Sequence, residues 1–272
     1  MGLRHARGSA FLLTGAFATL WCSIVRADSG FEISPAADAS ITAGSWALFV
    51  ALNQGATKLR PSPACGREAC GPLGDGARRY DATWDTISYV PVSLAIVGSL
   101  GPSSARWASG AGTARETGDA TLMLAEALGL TFAATEIVKL TVPRYRPFLA
   151  FPSASQDAAR TAPDASASFW SGHTSAAFAA AAIGAFDACR AQGPLGCGAP
   201  AVGLHALAAS TGLMRVLAGK HHLTDVIVGA AVGSAIGGAV ALAHAPAGRE
   251  GRTAGHAMLG SQAAMMSMMW LW

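Results

Sequence analysis

Apolar stretches of helix length alternate with short polar segments along most of the chain. None of them alternates with the period of two that is typical of a half-buried strand. The pattern therefore predicts a mainly α-helical protein. After residue 85 it gives five apolar runs: Thr86–Leu100, Asp119–Val142, Ser175–Ala188, Ala199–Leu217 and Val226–His244.

Another apolar run, Ile41–Thr57, precedes these five and carries Ser45, Asn53 and Gln54. It is short for a membrane span, so we expect it to lie in the membrane interface or against the bundle. A polar hinge is predicted at 101–118, between the first two of the later runs.

The composition favours a bundle inside a membrane. The chain is 51% hydrophobic and 13% charged, against about a quarter charged in soluble domains. Glycine is abundant, and Gly229, Gly233, Gly237 and Gly238 fall on near-helical spacing that is typical of closely packed helices. The net charge of +3, with no basic stripe, does not fit a nucleic-acid partner. We predict an all-α, integral-membrane helical bundle and leave its oligomeric state open.

The first 27 residues resemble an export signal. Arg4 to Arg7 form a cationic start, Ala10–Val25 is apolar, and Val25-Arg26-Ala27 resembles a cleavage site. An uncleaved anchor helix is the alternative, and with either one the following segment begins outside the cytoplasm. Four segments are therefore predicted: a signal or anchor at 1–27, an exported segment with an interfacial helix and a Cys loop at 28–85, a helical core at 86–246 and a tail at 247–272.

Four cysteines follow the predicted signal as two closely spaced pairs, Cys65 with Cys70 and Cys189 with Cys197. An even count in an exported chain favours local disulfides. A metal site at Cys65 and Cys70 would lack a second pair of ligands.

Charged and polar residues concentrate in three clusters at the ends of the apolar helices. Charge beside an apolar helix is costly unless a partner or an anionic ligand neutralises it. A Ser-Gly pair at a helix start offers a hydroxyl and backbone N–H groups to an anion, and arginine forks match phosphate oxygens. The clusters are Lys139 with Arg144 and Arg146, then Ser171-Gly172-His173, then Arg215 with His221 and Asp225.

Two histidines in these clusters suit catalysis. His173 and His221 can divide proton transfer and nucleophilic attack, because imidazole titrates near neutral pH. Asp225, four residues after His221, can fix the tautomer of that ring and stabilise its charge.

Simpler roles are also open for several residues. Lys139 and Arg146 fit interfacial cations, and Ser171 fits an ordinary N-cap. For four other ionisable residues of the helices we expect structural roles: ion pairing for Glu126 and Glu136, and packing or helix-end positions for His205 and His244.

In chain order the clusters read Lys139-x6-Arg146-Pro147, Phe169-Trp170-Ser171-Gly172-His173 and Arg215-x5-His221-x3-Asp225. This resembles the three-part signature of the type 2 phosphatidic acid phosphatase (PAP2) superfamily, which also includes bacterial acid phosphatases and vanadium haloperoxidases. The resemblance covers Asp119 to Ala243. It implies a membrane-type bacterial phosphatase that forms a phosphohistidine intermediate and needs no metal or other cofactor.

The resemblance also implies a role for each matching residue. His221 corresponds to the nucleophile, Asp225 to the carboxylate that orients it, and His173 to the general acid that later activates water. The implied phosphate-binding set is Lys139, Arg146, Ser171, Gly172 and Arg215.

Three positions depart from the family pattern. Trp170 stands where proline is usual, Met214 where serine is usual, and His222 where an aromatic residue is common. Trp170 lacks the fixed φ of proline, and Met214 removes a hydroxyl. Lys220 and His222 are interpreted as residues at the rim of the site.

A site in a membrane favours an amphiphilic substrate, so we predict a lipid phosphate or pyrophosphate. Alternatives are a soluble periplasmic acid phosphatase of broad range, a vanadium haloperoxidase, and a degenerate binding protein that has lost catalysis at Trp170 and Met214.

The predicted topology is that of a multi-pass bacterial inner-membrane protein with its site facing the periplasm. If Ile41–Thr57 does not span, Arg106 and Arg115 lie inside, in agreement with the positive-inside rule. Cys189 and Cys197 would then be cytoplasmic thiols, and a bridge between them would contradict this topology. A spanning Ile41–Thr57 behind a cleaved signal would turn the site inward.

Overall fold

The structure is a computed structural model that describes residues 30–59, 78–151 and 164–245. Within these ranges it is a bundle of eight α-helices, and an isolated parallel bridge joins Arg144 to Ala167. The all-α prediction is confirmed. The helices are α1 Pro35–Leu59, α2 Ala82–Ile87, α3 Tyr89–Gly98, α4 Gly101–Ala108, α5 Ala114–Thr141, α6 Gly172–Gly196, α7 Gly198–Leu217 and α8 Leu223–Ala243, with a 3-10 turn at Pro147–Ala150.

Several predicted features lie outside the described residues. They are the signal or anchor at 1–27, the loop with Cys65 and Cys70, and the tail at 247–272.

Helix α6 lies at the centre of the bundle and packs against α5, α7 and α8. Its alanine-rich sequence makes it narrow, and Ala177, Ala179 and Ala181 are fully buried. Small side chains let the neighbouring helices approach closely, which fixes the position of the first turn of α6.

The glycine face of α8 packs against α6, as the spacing predicts. A Cβ built on Gly233 would lie 2.1 Å from the carbonyl oxygen of Ser175, and one on Gly237 would lie 2.4 Å from that of Ala179. Both distances are shorter than carbon and oxygen tolerate without displacement, so only glycine fits at these two positions.

We expect Gly233→Ala to destabilise the protein by about 1–3 kcal/mol, because the added methyl would push α8 away from α6. Gly203→Ala on α7 is the matched control, since nothing lies within 4 Å of a Cβ at that position. The control should stabilise the helix by up to about 1 kcal/mol. Thermal unfolding in detergent measures both variants, and equal melting temperatures would contradict the close packing.

The first described residues lie at the end of the bundle where α6 ends. The ring of Phe31 packs 6.2 Å from that of Phe186, and Arg190 lies 4.4 Å above the Phe31 ring. From there α1 runs along α5, and Trp46 Nε1 donates to the carbonyl oxygen of Ala125 at 2.9 Å. The run predicted at 41–57 therefore packs against the bundle, which was one of its two expected positions.

Residues 82–108 form three short helices, where the sequence predicted one apolar run followed by a polar hinge. The hinge predicted at 101–118 is wrong in its first half, where Pro102 in the first turn of α4 favours helix initiation. A bend of 48° separates α4 from the segment before it. The N–H of Ser103 donates to Asp187 on α6 at 2.8 Å, which ties this corner to the centre of the bundle.

Two of the described helices, α5 and α8, are long and apolar enough to cross a membrane. The number of possible spans rises to three if the bent segment 82–108 counts as one span. This is fewer than the five apolar runs of the sequence, because α6 carries Asp187 and Arg190, and α7 carries His205 and Arg215. Large apolar side chains are exposed on the outer faces of the helices, as a membrane protein requires: Val90, Leu94 and Val97 on α3, Leu213 on α7, and Ile227 on α8.

Cys189 and Cys197 form a disulfide, with Cα atoms 4.6 Å apart. The expectation that they remain cytoplasmic thiols is therefore wrong, and the bridge contradicts the predicted membrane topology from which that expectation followed. Disulfides persist in oxidising compartments, and this bridge lies about 27 Å along α6 from Ser171 at its start. We call the end of the bundle with Cys189 and Cys197 the bridged end.

Candidate active site

The three predicted clusters meet at the end of the bundle opposite the bridged end. A Cβ built on Gly172, at the start of α6, would lie 3.7 Å from Lys139 Nζ at the end of α5. Arg146, in the connection that follows α5, has its Nη1 atom 3.3 Å from His221 Nε2 in the α7–α8 turn. Residues that are far apart in sequence thus form one polar site.

The α7–α8 turn depends on Gly219, which has φ +70. A Cβ there would also lie 2.7 Å from the carbonyl oxygen of Arg79, so the position requires glycine on both grounds. The carbonyl of Gly219 accepts from the N–H of Phe148 at 3.2 Å. These contacts hold the turn against the rest of the site and bury His221.

His221 is 3% exposed and its ring is held in one tautomer. Nδ1 lies 2.7 Å from the carbonyl oxygen of Ser168, which can only accept, so Nδ1 carries the proton and Nε2 keeps a lone pair. Burial, with the positive charges of Arg146 and Arg215, holds the pKa of His221 well below its usual 6.5. At neutral pH the ring is therefore an uncharged base with Nε2 facing Arg146.

Asp225 is fully buried and lies 3.8 Å from His221 Nδ1, too far for a hydrogen bond. Its carboxylate instead accepts from Arg144 Nη1 at 2.6 Å, Ser168 Oγ at 2.6 Å and the N–H of His222 at 2.9 Å. The predicted direct contact is replaced by an indirect one, in which Asp225 fixes Ser168 and the Ser168 carbonyl fixes the ring. Sequence reasoning missed Ser168, whose only signal was its place next to the second cluster.

Arg146 joins the α5–α6 connection to the α7–α8 turn. It donates to the carbonyl oxygen of Asp164 at 2.9 Å, the carboxylate of Asp164 at 3.0 Å and the carbonyl oxygen of Lys220 at 2.9 Å. The residue is 5% exposed, so it is not the interfacial cation that was the alternative. This network directs the Nη1 edge of the guanidinium at His221.

Arg215 is buried and anchored by α2 and by the residue that links α2 to α3. Its Nη1 donates to the carboxylate of Asp85 and, at 3.1 Å, to Ser88 Oγ. Its Nε is buried and has no hydrogen-bond partner among the described residues. Arg215 therefore retains an unused donor beside His221. Sequence reasoning missed Asp85, which lies outside all three clusters and has no motif around it.

Asp85 also binds Lys220 and Tyr80. Lys220 Nζ lies 3.4 Å from the Asp85 carboxylate and 5.2 Å from the centroid of the Tyr80 ring. The Tyr80 hydroxyl donates to Asp85 at 2.8 Å, and burial together with this hydrogen bond raises the pKa of Tyr80 to about 12. Lys220 thus packs into the wall of the site.

His222 is a buried cap of α8, and its predicted position at the rim is wrong. Its side chain accepts from the N–H of Asp225, and its Nε2 donates to the carbonyl oxygen of Tyr145 at 3.1 Å. Both ring nitrogens are therefore used in holding the first turn of α8 against the α5–α6 connection.

The second cluster starts α6. Ser171 is its N-cap, and Ser171 Oγ accepts from Thr174 Oγ1 at 2.8 Å, so the simpler role predicted for it is present. The ring of His173 lies edge-on to that of Tyr89, with centroids 4.8 Å apart. Trp170, the departure before this cluster, donates from Nε1 to Thr135 Oγ1 at 2.9 Å and so anchors the turn to α5.

Lys139 pairs with Glu136 one turn earlier on α5, at 3.2 Å. Glu136 is thus a structural ion-pair partner, as expected. The pair keeps Lys139 Nζ at the first turn of α6, where the backbone N–H groups point outward.

Comparison with known proteins gives one family. Residues 120–249 match the family model described as PAP2 superfamily. No curated protein and no solved structure matches the chain. The matched range contains all three clusters and leaves out Asp85.

Proposed function

Because the chain belongs to the PAP2 superfamily over residues 120–249, we propose that it is a metal-independent phosphatase that uses His221 as a nucleophile. Members of this superfamily are phosphatases or phosphotransferases, so the general activity of the chain is that of an enzyme that acts on phosphate esters. The observation that carries the proposed mechanism is the state of His221, a buried neutral imidazole with a fixed Nδ1–H and a lone pair on Nε2 beside Arg146.

In the first step, His221 Nε2 attacks phosphorus, and the N–P bond forms as the bond to the ester oxygen breaks. His173 enters this step in its protonated form, which the negative charge of the bound phosphate favours, and it gives that proton to the leaving oxygen. The His221 ring gains positive charge, which the Ser168 carbonyl and the buried Asp225 carboxylate behind it stabilise.

In the second step, water attacks the phosphohistidine. His173 now takes a proton from that water, the N–P bond breaks, inorganic phosphate leaves and His221 returns to its neutral form. Each step exchanges one bond to phosphorus for another, and each uses the same two histidines.

The phosphate oxygens would be bound by Lys139, Arg146, Arg215, Ser171 and the N–H of Gly172. Arg215 contributes the donor that its contacts with Asp85 and Ser88 leave unused. Asp85 acts as a positioning residue, because it fixes the guanidinium before phosphate arrives. Fixed donors around the equatorial oxygens stabilise charge in the transition state, which is the largest contribution in phosphoryl transfer.

We further propose that the substrate is a lipid phosphate or pyrophosphate. Large apolar side chains are exposed near the site on α2, α3, the end of α5 and the start of α8: Trp84, Tyr89, Val142 and Leu223. An acyl or isoprenoid chain would lie against such a surface while its phosphate enters the site.

A phosphate-release screen in detergent tests this substrate class. The pairs to compare are lipid phosphates and isoprenoid pyrophosphates against soluble esters with the same head group. We expect a kcat/KM at least about tenfold higher for the chain-bearing member of each pair, since each buried methylene contributes about 0.8 kcal/mol. Equal values within pairs would refute a lipid substrate while leaving the phosphatase proposal standing.

The bridged end suggests an orientation opposite to the predicted one. Phe31 follows the predicted export signal and packs at the bridged end. The predicted export of this segment and the oxidation of the cysteines therefore place the same end outside. Lys58, Arg78 and Arg79 add positive charge at the other end, in agreement with the positive-inside rule. We therefore propose that a membrane-spanning chain presents its site to the cytoplasm.

A second candidate is also favoured by the disulfide. A wholly exported acid phosphatase that does not span the membrane would have both ends of the bundle in the oxidising compartment. With the disulfide present, the predicted periplasmic site is retained in this second candidate alone.

Cysteine labelling distinguishes the two orientations. Ser109 lies in the α4–α5 turn at the bridged end, and Thr141 ends α5 at the site; both are exposed. With a membrane-impermeant maleimide on intact cells, we expect Ser109→Cys to react and Thr141→Cys to react only after permeabilisation. Labelling of Thr141→Cys in intact cells would refute the proposed orientation, and release of such an enzyme without detergent would support the second candidate.

A further inference from the structure

A second cluster of ionisable side chains lies inside the bundle, near the bridged end and away from the site. It joins Asp38 in the first turn of α1, Glu126 on α5 and His244 at the end of α8, and each of these residues is at most 6% exposed. One ligand atom from each residue lies within 4.8 Å of the other two. The proposed catalytic chemistry uses none of the three.

The distances place the His244 ring between the two carboxylates. Nε2 lies 3.1 Å from Glu126 Oε2, and Nδ1 lies 3.9 Å from Asp38 Oδ2. Nδ1 is also 3.0 Å from the carbonyl oxygen of Glu32, which adds a further oxygen to the cluster. Asp38 Oδ2 accepts from the N–H of Ser34 at 2.7 Å, which holds the carboxylate in place.

The charge of this cluster is not balanced by its own members. Two carboxylates and one imidazole carry a net negative charge even when the ring is protonated. Within the described parts of the chain, neither Asp38 nor Glu126 forms an ion pair with a lysine or arginine, and the nearby Arg190 pairs with Asp187 and Glu116. A buried, unbalanced negative charge is costly, and a divalent cation would neutralise two carboxylates around a neutral imidazole.

We propose that Asp38, Glu126 and His244 bind a divalent transition-metal ion, with zinc as the best-fitting ion. One imidazole with two carboxylates is a donor set that suits zinc, whereas calcium and magnesium prefer oxygen ligands alone. Such a metal would join α1, α5 and α8 at the end opposite the site. Its role is structural, because it lies away from every residue of the proposed reaction.

Metal analysis of the detergent-purified full chain, with any affinity tag removed, tests this proposal. We expect about one zinc ion per chain in protein supplied with zinc, a lower melting temperature after chelation, and recovery on adding one equivalent of zinc. Phosphate release at a temperature where both forms are folded should be unchanged. If the wild-type chain bound no zinc and its melting temperature did not shift on adding zinc, the proposal would be overturned without any variant.

Variants then assign the ion to this cluster. His244→Gln keeps hydrogen-bonding groups at the position but removes the imidazole ligand, and we expect zinc affinity to fall at least about 100-fold. His205→Gln is the matched control, because His205 is equally buried and its Nδ1 donates to the carbonyl oxygen of Ala201 at 2.8 Å, away from this cluster. Unchanged zinc affinity in a folded His244→Gln protein, or equal losses in both variants, would overturn the assignment.

Discussion

His221→Ala should lose at least about 1,000-fold in phosphate release, because the chain then has no nucleophile at the phosphate. The adjacent imidazole does not replace it. Both ring nitrogens of the neighbouring His222 form hydrogen bonds, one with the N–H of Asp225 in the cap of α8 and the other, from Nε2, with the carbonyl oxygen of Tyr145. Inorganic phosphate release with the best substrate of the screen measures the effect in kcat.

His222→Asn is the control for this variant, since asparagine also caps helices and the change removes the adjacent imidazole. We expect it to retain most of the activity at a modest loss of stability. If His221→Ala kept full activity, or if His222→Asn lost as much as His221→Ala, the assigned nucleophile would be wrong.

Arg146→Lys should lower kcat/KM by about 100-fold, although it keeps the positive charge. The guanidinium binds Asp164, the Lys220 carbonyl and His221 at once, and an ammonium group cannot reproduce that planar set of donors. A shorter cation would also leave buried acceptors unsatisfied, which costs about 1–3 kcal/mol for each group. Steady-state kinetics and thermal unfolding measure the two effects separately.

Arg115→Lys is the matched control, because the Arg115 side chain is 82% exposed and its contact with Asp119 is 3.9 Å long. Exposed ion pairs of this kind contribute little. Wild-type kcat/KM in Arg146→Lys would mean that charge alone, and not the fork of donors, matters at this position.

The helices and the three clusters could be predicted from the sequence because both signals are local. Apolar runs of helix length marked α5, α7 and α8 within a few residues of their observed bounds. The glycine spacing at 229, 233 and 237 marked the face of α8 that packs on α6. Charge at helix ends marked Lys139, His173 and Arg215, since charge beside apolar segments needs a partner.

The supporting residues could not be predicted, because their role depends on contacts between distant segments. Asp85 meets Arg215 across 130 residues of sequence. Ser168 contributes a backbone carbonyl to His221, and a carbonyl is present at every residue of any sequence. Neither kind of contact leaves a local pattern.

The membrane topology was wrong for a physical reason as well. It assumed that Ile41–Thr57 does not span, and it took Arg106 and Arg115, on either side of the α4–α5 turn, as agreement that this turn is cytoplasmic. In the structure Arg106 pairs with Glu116 at 3.4 Å, and Glu116 also binds Arg190 near the disulfide, so Arg106 belongs to a structural network and only Arg115 is an exposed charge. The disulfide between Cys189 and Cys197 is the stronger signal of orientation, because oxidation of cysteines depends on the compartment.

Trapping of the covalent intermediate tests the central claim most directly. A labelled phosphate ester is mixed with the enzyme and quenched in alkali, where phosphohistidine survives, and the labelled residue is mapped. We predict label on His221 in the wild type, more label in His173→Ala with a substrate whose leaving group needs no proton, and none in His221→Ala. Label on another residue, or turnover with no labelled enzyme in His173→Ala, would contradict the proposed phosphohistidine mechanism.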